Sequence, residues 1–305
     1  MKLVSFTDGR PGIDLGGVVL DIQKSALTNL ALADIPNSVL GIIQTPSAME
    51  KLRKIVPTLI NGGHTDFVLV KKNAAQLAAP FEPLTIYAVG MNYTDHLEEM
   101  DTPTPSRPYS FVKSSTAVIG DGQEIIFPQG HESMVDWEAE LAIVIGKNCY
   151  QISEGEALSV VFGYMCTNDL SARDWAANAL EPAAPLEVIE RWACNLLGKQ
   201  FPTFAPMGPA LVTADEVGDP TKLDIQCRVN GNVMQKSNTS KMVFGVASLI
   251  SYLSQYQHLR PGDVILSGTM GGVGFGRNPK LFLKKGDLVE VEIEKIGILK
   301  NKVQP

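Results

Sequence analysis

Asp136-Trp137-Glu138-Ala139-Glu140-Leu141-Ala142-Ile143-Val144-Ile145 is the stretch on which the reading of this chain turns. It opens with charged residues in alternation and ends in an unbroken apolar run, as a strand does when it enters a core. Side chains on a strand alternate faces, so Glu138 and Glu140 point the same way, roughly 7 Å apart at their Cα atoms. Buried without a partner, these two carboxylates would repel each other strongly. A hard divalent cation removes that repulsion, and oxygen ligands select Mg²⁺, Mn²⁺ or Ca²⁺ over zinc. The same pattern also suits the exposed face of an edge strand.

Downstream, residues 160–167 form a second strand candidate that ends at Asn168-Asp169. Asp169 offers a third oxygen at a sheet rim, or is a turn residue. Upstream, residues 84–89 read as a strand entering Gly90, and residues 92–100 as a short helix with Asn92 as its N-cap. On that helix His96 and Glu99 share a face, so the carboxylate can orient the imidazole as a general base for activating water. A surface histidine in an acidic helix has the same pattern. Residues 185–197 and 242–253 carry apolar side chains at helical spacing, and strands follow at 264–266 and 289–293, the last closing the sheet. The glycines of residues 268–277 do not fit GxGxxG, and Asn278-Pro279 stands where a helix would have to start, so no dinucleotide fingerprint is present. Such a loop brings backbone N–H groups close to an anion, or simply makes turns.

Ahead of these elements, residues 1–78 read as a small α+β unit. Its strands lie near residues 3–6 and 18–22 and its helices at 47–56 and 73–79. The Pro-punctuated stretch Ala79-Pro80-Phe81-Glu82-Pro83 separates it from a unit spanning 79–305. The chain of 305 residues is 45% hydrophobic and 19% charged, enough to bury a sizeable core. A net charge of −7 argues against a nucleic-acid partner, which requires a basic face. Four cysteines without a CxxC pair indicate neither a disulfide scaffold nor a zinc site. With no apolar run long enough for a signal peptide or a membrane helix, a cytoplasmic protein without membrane partners is expected.

Taken in order, these segments resemble the fumarylacetoacetate hydrolase family. The resemblance is carried by the G-x-N-Y-x-x-H-x-x-E pattern of residues 90–99, Phe111-Val112-Lys113, the strand at 136–146 and Gly163-Tyr164. It continues through Asn168-Asp169-Leu170-Ser171-Ala172-Arg173-Asp174, Gly198-Lys199, Asn230-Gly231, residues 259–263 and Gly268-Thr269. It implies a β-rich α+β fold, a mixed β-sandwich or β-roll catalytic domain behind a small N-terminal domain, assembled as a homodimer. By the same resemblance Glu138, Glu140 and Asp169 hold Mg²⁺ or Mn²⁺, with Ca²⁺ admitted by the same oxygen set. His96, Glu99 and Lys199 are the implied catalytic residues, and Asn92, Arg173 and Thr269 the implied contacts of a small oxo-acid substrate.

The reaction expected is metal-dependent hydrolysis of the C–C bond of a 2,4-dioxo acid of the acylpyruvate or fumarylacetoacetate kind. Decarboxylation, isomerisation or dehydration of a 2-oxo acid through an enolate is the alternative, and a silent ligand-binding relative the second. Three ligand charges against two on the cation would leave the site mildly anionic. Three departures from the family pattern stand out. Met270 replaces the proline of its G-T-P loop, Ala176 replaces the amide of its R-D-x-Q pattern, and an extra segment lies between Arg173 and Lys199. The apolar face of that segment, with Leu186, Ile189, Trp192, Leu196 and Leu197, is expected to wall the pocket or join a subunit interface. It would favour a substrate with an apolar or bulky distal group over a second carboxylate.

Overall fold

Strand Ala139–Ile145 is buried along its whole length because it separates two cores. Leu141, Ile143 and Ile145 pack with Tyr164, Cys166, Val291 and Leu299 on one side. Ala142 and Val144, of the other parity, pack with Val39, Ile42 and Leu52 on the other. That double burial is why the run is continuously apolar. The computed structural model describes residues 1–62, 67–176 and 184–305.

One large mixed sheet runs through the molecule. Its order is Leu69–Lys71, Val18–Asp21, Pro11–Asp14, Lys2–Phe6, Ala205–Thr213, Val161–Asn168, Ala139–Ile145, Val264–Leu266, Ile86–Gly90 and Tyr109–Lys113. Val264–Leu266 pairs parallel with Ile86–Gly90, while the neighbouring central pairs are antiparallel. A second, four-stranded sheet is ordered Asn232–Asn238, Asp224–Val229, Leu288–Ile293 and Gly297–Lys302. Its Ile225, Cys227 and Val291 meet the first sheet face to face, and Leu249, Ile250 and Leu253 of helix Val246–Ser254 complete that core. The result is the β-rich α+β sandwich expected.

Several boundaries differ from the sequence reading, each for a physical reason. Residues 73–79 do not form a helix, because Leu77 and Ala78 pair with Phe6 and Ser5 at the edge of strand Lys2–Phe6. The short helix is Thr94–Glu99 with Tyr93 as its N-cap, since Asn92 is drawn into the core. Leu288–Ile293 lies in the second sheet and does not close the first. Strand Ala205–Thr213, which opens with Pro206 and Gly208 among its first residues, gave no periodic signal. The leading unit shares the large sheet, since Lys2 and Leu3 pair with Val212 and Leu211. Its side chains share a core with Ile86, Ala88, Ala142 and Met165.

Leu3 is fully buried at this junction. Leu3→Ala should therefore cost about 2–5 kcal/mol and lower the midpoint of a single denaturation curve followed by circular dichroism and tryptophan fluorescence. A separate early transition, with the rest of the chain unaffected, would show that the leading unit is energetically independent.

Candidate active site

Register brings the three acidic residues together. Ala139 pairs with Asn168 and Glu140 with Thr167, so Asp169, one step past the strand end, lies opposite Glu138. The Asp169 amide donates to the Glu138 carbonyl at 2.9 Å, and the Asn168 side-chain oxygen accepts from the Glu138 amide at 2.9 Å. Glu138, Glu140 and Asp169 are buried and each can bring an oxygen within 4.8 Å of the others. Glu140 accepts from the Gly268 amide at 2.8 Å. Gly268 has φ +87°, and a Cβ there would stand 2.9 Å from Asn92 Cβ, so only glycine lets this loop reach Glu140.

Three cations answer the carboxylates, Lys113 and Lys199 buried and Arg173 partly so. Lys199 Nζ donates to Glu138 at 2.7 Å, to Asp169 at 2.9 Å and to the Ser171 hydroxyl at 2.8 Å. Arg173 bridges Glu138 and Asp136, its Nε lying 3.0 Å from Asp136 Oδ2. Lys113 Nζ lies 2.8 Å from Asp169 Oδ1 and donates to the backbone carbonyl of Lys199. Asp136 is itself wholly buried and accepts from the amides of Gly274 at 2.6 Å and Phe275 at 3.1 Å, which fastens the glycine-rich loop to the start of the 139–145 strand.

These neighbours divide the carboxyl groups. Burial raises the pKa of Glu138, but Lys199 and Arg173 outweigh it and hold the group below the usual carboxylate range. Asp169 is held low against burial by Lys113 and Lys199. Glu140 is pushed well up by burial, then by Asp169 and Glu138. Burial also raises Asp136, against the pull of Arg173, and lowers Lys113. With Glu140, whose pKa is pushed well up, counted in its ionised form, four carboxylates against three cations leave one negative charge in excess. A divalent cation would turn that into one positive charge, so the mildly anionic site expected from the three ligands alone is corrected by Lys113, Lys199 and Arg173.

A cation fits the donor set. Asp169 Oδ1 is buried and accepts no hydrogen bond, despite the nearby but poorly aligned Lys113 ammonium. An all-oxygen set of buried carboxylates within 4.8 Å of one another suits Mg²⁺ or Mn²⁺.

Across the cavity stands helix Thr94–Glu99. His96 Nδ1 lies 3.3 Å from Glu99 Oε2, and both Glu99 oxygens accept from the Gly272 amide at 3.0 Å. A Cβ at Gly276 would sit 2.4 Å from Glu99 Cδ, so this glycine makes room for the carboxylate. Asp95 clasps the same loop, accepting from the Gly271 amide at 3.1 Å and the Ser237 hydroxyl at 2.6 Å. His96, Glu138, Asp169, Arg173, Lys199 and Thr269 all line one cavity, whose remaining wall includes Met100, Tyr109, Phe111, Trp192 and Leu196.

Two expected substrate contacts are differently employed. The Asn92 amide donates to the carbonyls of Phe244 at 3.0 Å and Ser267 at 2.7 Å and accepts from the Phe244 amide, so it ties loops together and is fully buried. The Thr269 hydroxyl lines the cavity but donates to the Ala139 carbonyl at 3.0 Å and accepts from Gln235 Nε2 at 2.8 Å. Of the extra segment, residues 177–183 lie outside the described residues. Helix Pro185–Leu197 sends Trp192 and Leu196 to the cavity, while Leu186 and Ile189 are exposed. The sequence reading missed Lys113, Asp136 and Gln235. Lys113 closes a motif already noted and Asp136 opens the acidic strand, but Gln235 carried no signal.

The family profile "Fumarylacetoacetate (FAA) hydrolase C-terminal" matches residues 85–304. The chain is 47% identical over 289 residues to the mitochondrial oxaloacetate tautomerase FAHD2A of Bos taurus, covering 94% of this chain and 84% of the relative. Among solved structures it is similar to the fumarylacetoacetate hydrolase of Exiguobacterium antarcticum, with TM-score 0.78, 30% identity, and 100% and 99% of the two chains covered. It is also similar to maleylpyruvate hydrolase from Sphingobium sp. SYK-6 in complex with manganese(II) and pyruvate, with TM-score 0.77, 28% identity, and the same coverage.

The charge assignments separate two substitutions that the sequence alone treats alike. Glu138→Gln strips one of two carboxylate partners from Lys199 and from Arg173 and should cost about 3–5 kcal/mol. Glu140→Gln removes a group whose folded-state pKa is raised. Its stabilising contribution is complete below the unfolded-state value of about 4.3 and is lost as pH rises through the folded-state value. Glu140→Gln should therefore keep or raise the metal-free melting temperature at neutral pH and flatten that decline. Both variants should lose the rise in melting temperature on adding Mn²⁺. Equal destabilisation by the two, or an intact Mn²⁺ response, would contradict the assignment.

Proposed function

The chain belongs to the fumarylacetoacetate hydrolase family, and on that premise we propose that it interconverts the keto and enol forms of a small 2-oxo acid, oxaloacetate being the first candidate. One observation carries the reading: a histidine base and a buried cluster of carboxylates and cations face each other across a single cavity. The named activity of the Bos taurus relative, at 47% identity, supports tautomerisation over the C–C hydrolysis expected from sequence. It also favours a distal carboxylate over the apolar distal group expected.

Glu138, Glu140 and Asp169 would hold the divalent cation, which would supply Lewis-acid chemistry at the 2-oxo end of the substrate. The carboxylate at His96 Nδ1 selects the tautomer protonated there and leaves the Nε2 lone pair free to take the proton from the carbon beside the carbonyl. Glu99, held at both oxygens by the Gly272 amide, fixes that orientation and stabilises the imidazolium once the proton has moved. The Lys199 ammonium stands where negative charge develops on the substrate oxygen, in a site from which most water is excluded. The enolate takes its O–H proton from solvent, to which the imidazolium gives up the proton it gained; in the reverse direction the enol gives its O–H proton to solvent and His96 Nε2, reprotonated from solvent, delivers a proton to carbon.

Hydrolysis of a 2,4-dioxo acid is the second reading. The same His96 would deprotonate water in place of carbon, and the likeness to maleylpyruvate hydrolase over nearly both whole chains favours it. Tautomerisation needs no water and breaks no C–C bond.

The test follows the enol absorbance of oxaloacetate and of acetylpyruvate with Mn²⁺ present, with products identified by NMR. Enol–keto exchange of oxaloacetate without cleavage is the expected result, and cleavage of acetylpyruvate to acetate and pyruvate would establish the hydrolase reading instead. His96→Ala should lower the tautomerisation rate by roughly 10²–10⁴ while the Mn²⁺-dependent rise in melting temperature persists. An unchanged rate would remove His96 from the chemistry.

A further inference from the structure

We infer that Asn195 recognises the distal group of the substrate and that helix Pro185–Leu197 sets the length of substrate the cavity accepts; this rests on the 2-oxo acid reading above. Trp192, Asn195, Leu196 and Lys199 all line the cavity. Their spacing of three, four and seven residues places them on one face of a helix. The turn continues past the helix end, with the Gly198 amide donating to the Cys194 carbonyl at 2.9 Å and the Lys199 amide to the Leu196 carbonyl at 3.2 Å. The stripe therefore runs from Trp192 down to Lys199, whose ammonium sits on Glu138 and Asp169. At 1.5 Å per residue, Asn195 stands about 6 Å and Trp192 about 10 Å above the level of Lys199.

Along this stripe the chemistry changes once. The lower end is charged. Trp192 packs edge-on against Tyr109 at 5.8 Å, and with Leu196 and Phe111 it makes the upper wall apolar. Asn195 is the exception on that wall: its side-chain amide makes no hydrogen bond to any described residue. Apolar neighbours cannot satisfy it, so its donors and acceptor are available to ligand or solvent.

A four-carbon 2-oxo diacid with its oxo-acid end at the charged cluster spans about one helical turn. Its far carboxylate then meets the Asn195 N–H groups and stops short of Trp192. A longer acyl chain would pass Asn195 and rest on the Trp192 ring. Selectivity for the short diacid therefore comes from a neutral amide, while the surplus positive charge of the metal-loaded cluster attracts both kinds of anion.

The experiment measures exchange of the C3 protons in D₂O by NMR, on the Mn²⁺-loaded full chain, with oxaloacetate and with 2-oxobutyrate, which has the same length but no distal carboxylate. Asn195→Leu should lower kcat/KM for oxaloacetate by roughly 10- to 150-fold, the value of one hydrogen bond to a charged group, mainly through KM, and leave 2-oxobutyrate unchanged. Asn195→Asp, which opposes a carboxylate with a carboxylate, should lower it further. Trp192→Ala should change kcat/KM for 2-oxooctanoate, whose chain passes Asn195, far more than for oxaloacetate, and an equal effect on the two would overturn the length assignment. No loss on oxaloacetate in Asn195→Leu, or an equal loss on both substrates, would overturn the inference and leave the functional reading standing. Wild-type protein that exchanges neither substrate would overturn the functional reading and this inference with it.

Discussion

Four carboxylates meet in the interior of this protein, and the surrounding structure is arranged to make that tolerable. Asp136, Glu138, Glu140 and Asp169 are all nearly or fully inaccessible to water, where an uncompensated charge is very costly. Lys113, Arg173 and Lys199 answer three of the charges, and backbone amides of the glycine-rich loop answer part of the rest. Glu138 and Asp169 each have two cationic partners, whereas Asp136 has Arg173 alone beside the loop amides. Fully ionised, the arrangement is one positive charge short, and a divalent cation would supply that charge with one in excess.

The fold supplies this convergence through register. Because strand Ala139–Ile145 lies between two cores, its pairing with Val161–Asn168 cannot slip by a residue without turning apolar side chains to the wrong face. Glu138 and Asp169 thus inherit their positions from core packing several residues away. The opposite wall is built differently. Helix Thr94–Glu99 is too short to be stable alone, and it is held by Asp95 and Glu99 on the amides of Gly271 and Gly272. That same loop reaches Asp136 through Gly274 and Phe275. The His96 helix and the charge cluster are therefore fixed to each other through one loop.

The acidic strand, the oxygen from Asp169 and the His96–Glu99 pair were legible in the sequence because each depends on local spacing: two residues along a strand, three along a helix, or the end of an apolar run. The compensating cations were legible only in part. Lys199 and Arg173 came from a motif, whereas the burial of Lys113 depends on strand Tyr109–Lys113 reaching under residue 199, which no local pattern encodes. Gln235 joins Ala139 to the loop at Thr269 and Met270 from a strand of the other sheet, a contact visible only in three dimensions. Asn92 was misread as a helix cap for the opposite reason: its local pattern is right for capping, but long-range hydrogen bonds to Phe244 and Ser267 draw it away. The surface of helix Pro185–Leu197 was inverted in part, since its apolar residues divide between the cavity and solvent instead of forming one buried face.

A divalent cation at Glu138, Glu140 and Asp169 would reverse the sign of the site and so admit an anion. Calorimetric titration with oxalate, a planar dianion resembling the enolate of a 2-oxo acid, tests it most directly, once with EDTA and once with saturating Mn²⁺. The expected result is binding to the Mn²⁺-loaded protein and none measurable to the metal-free protein. Equal oxalate affinity in the two titrations would contradict the claim.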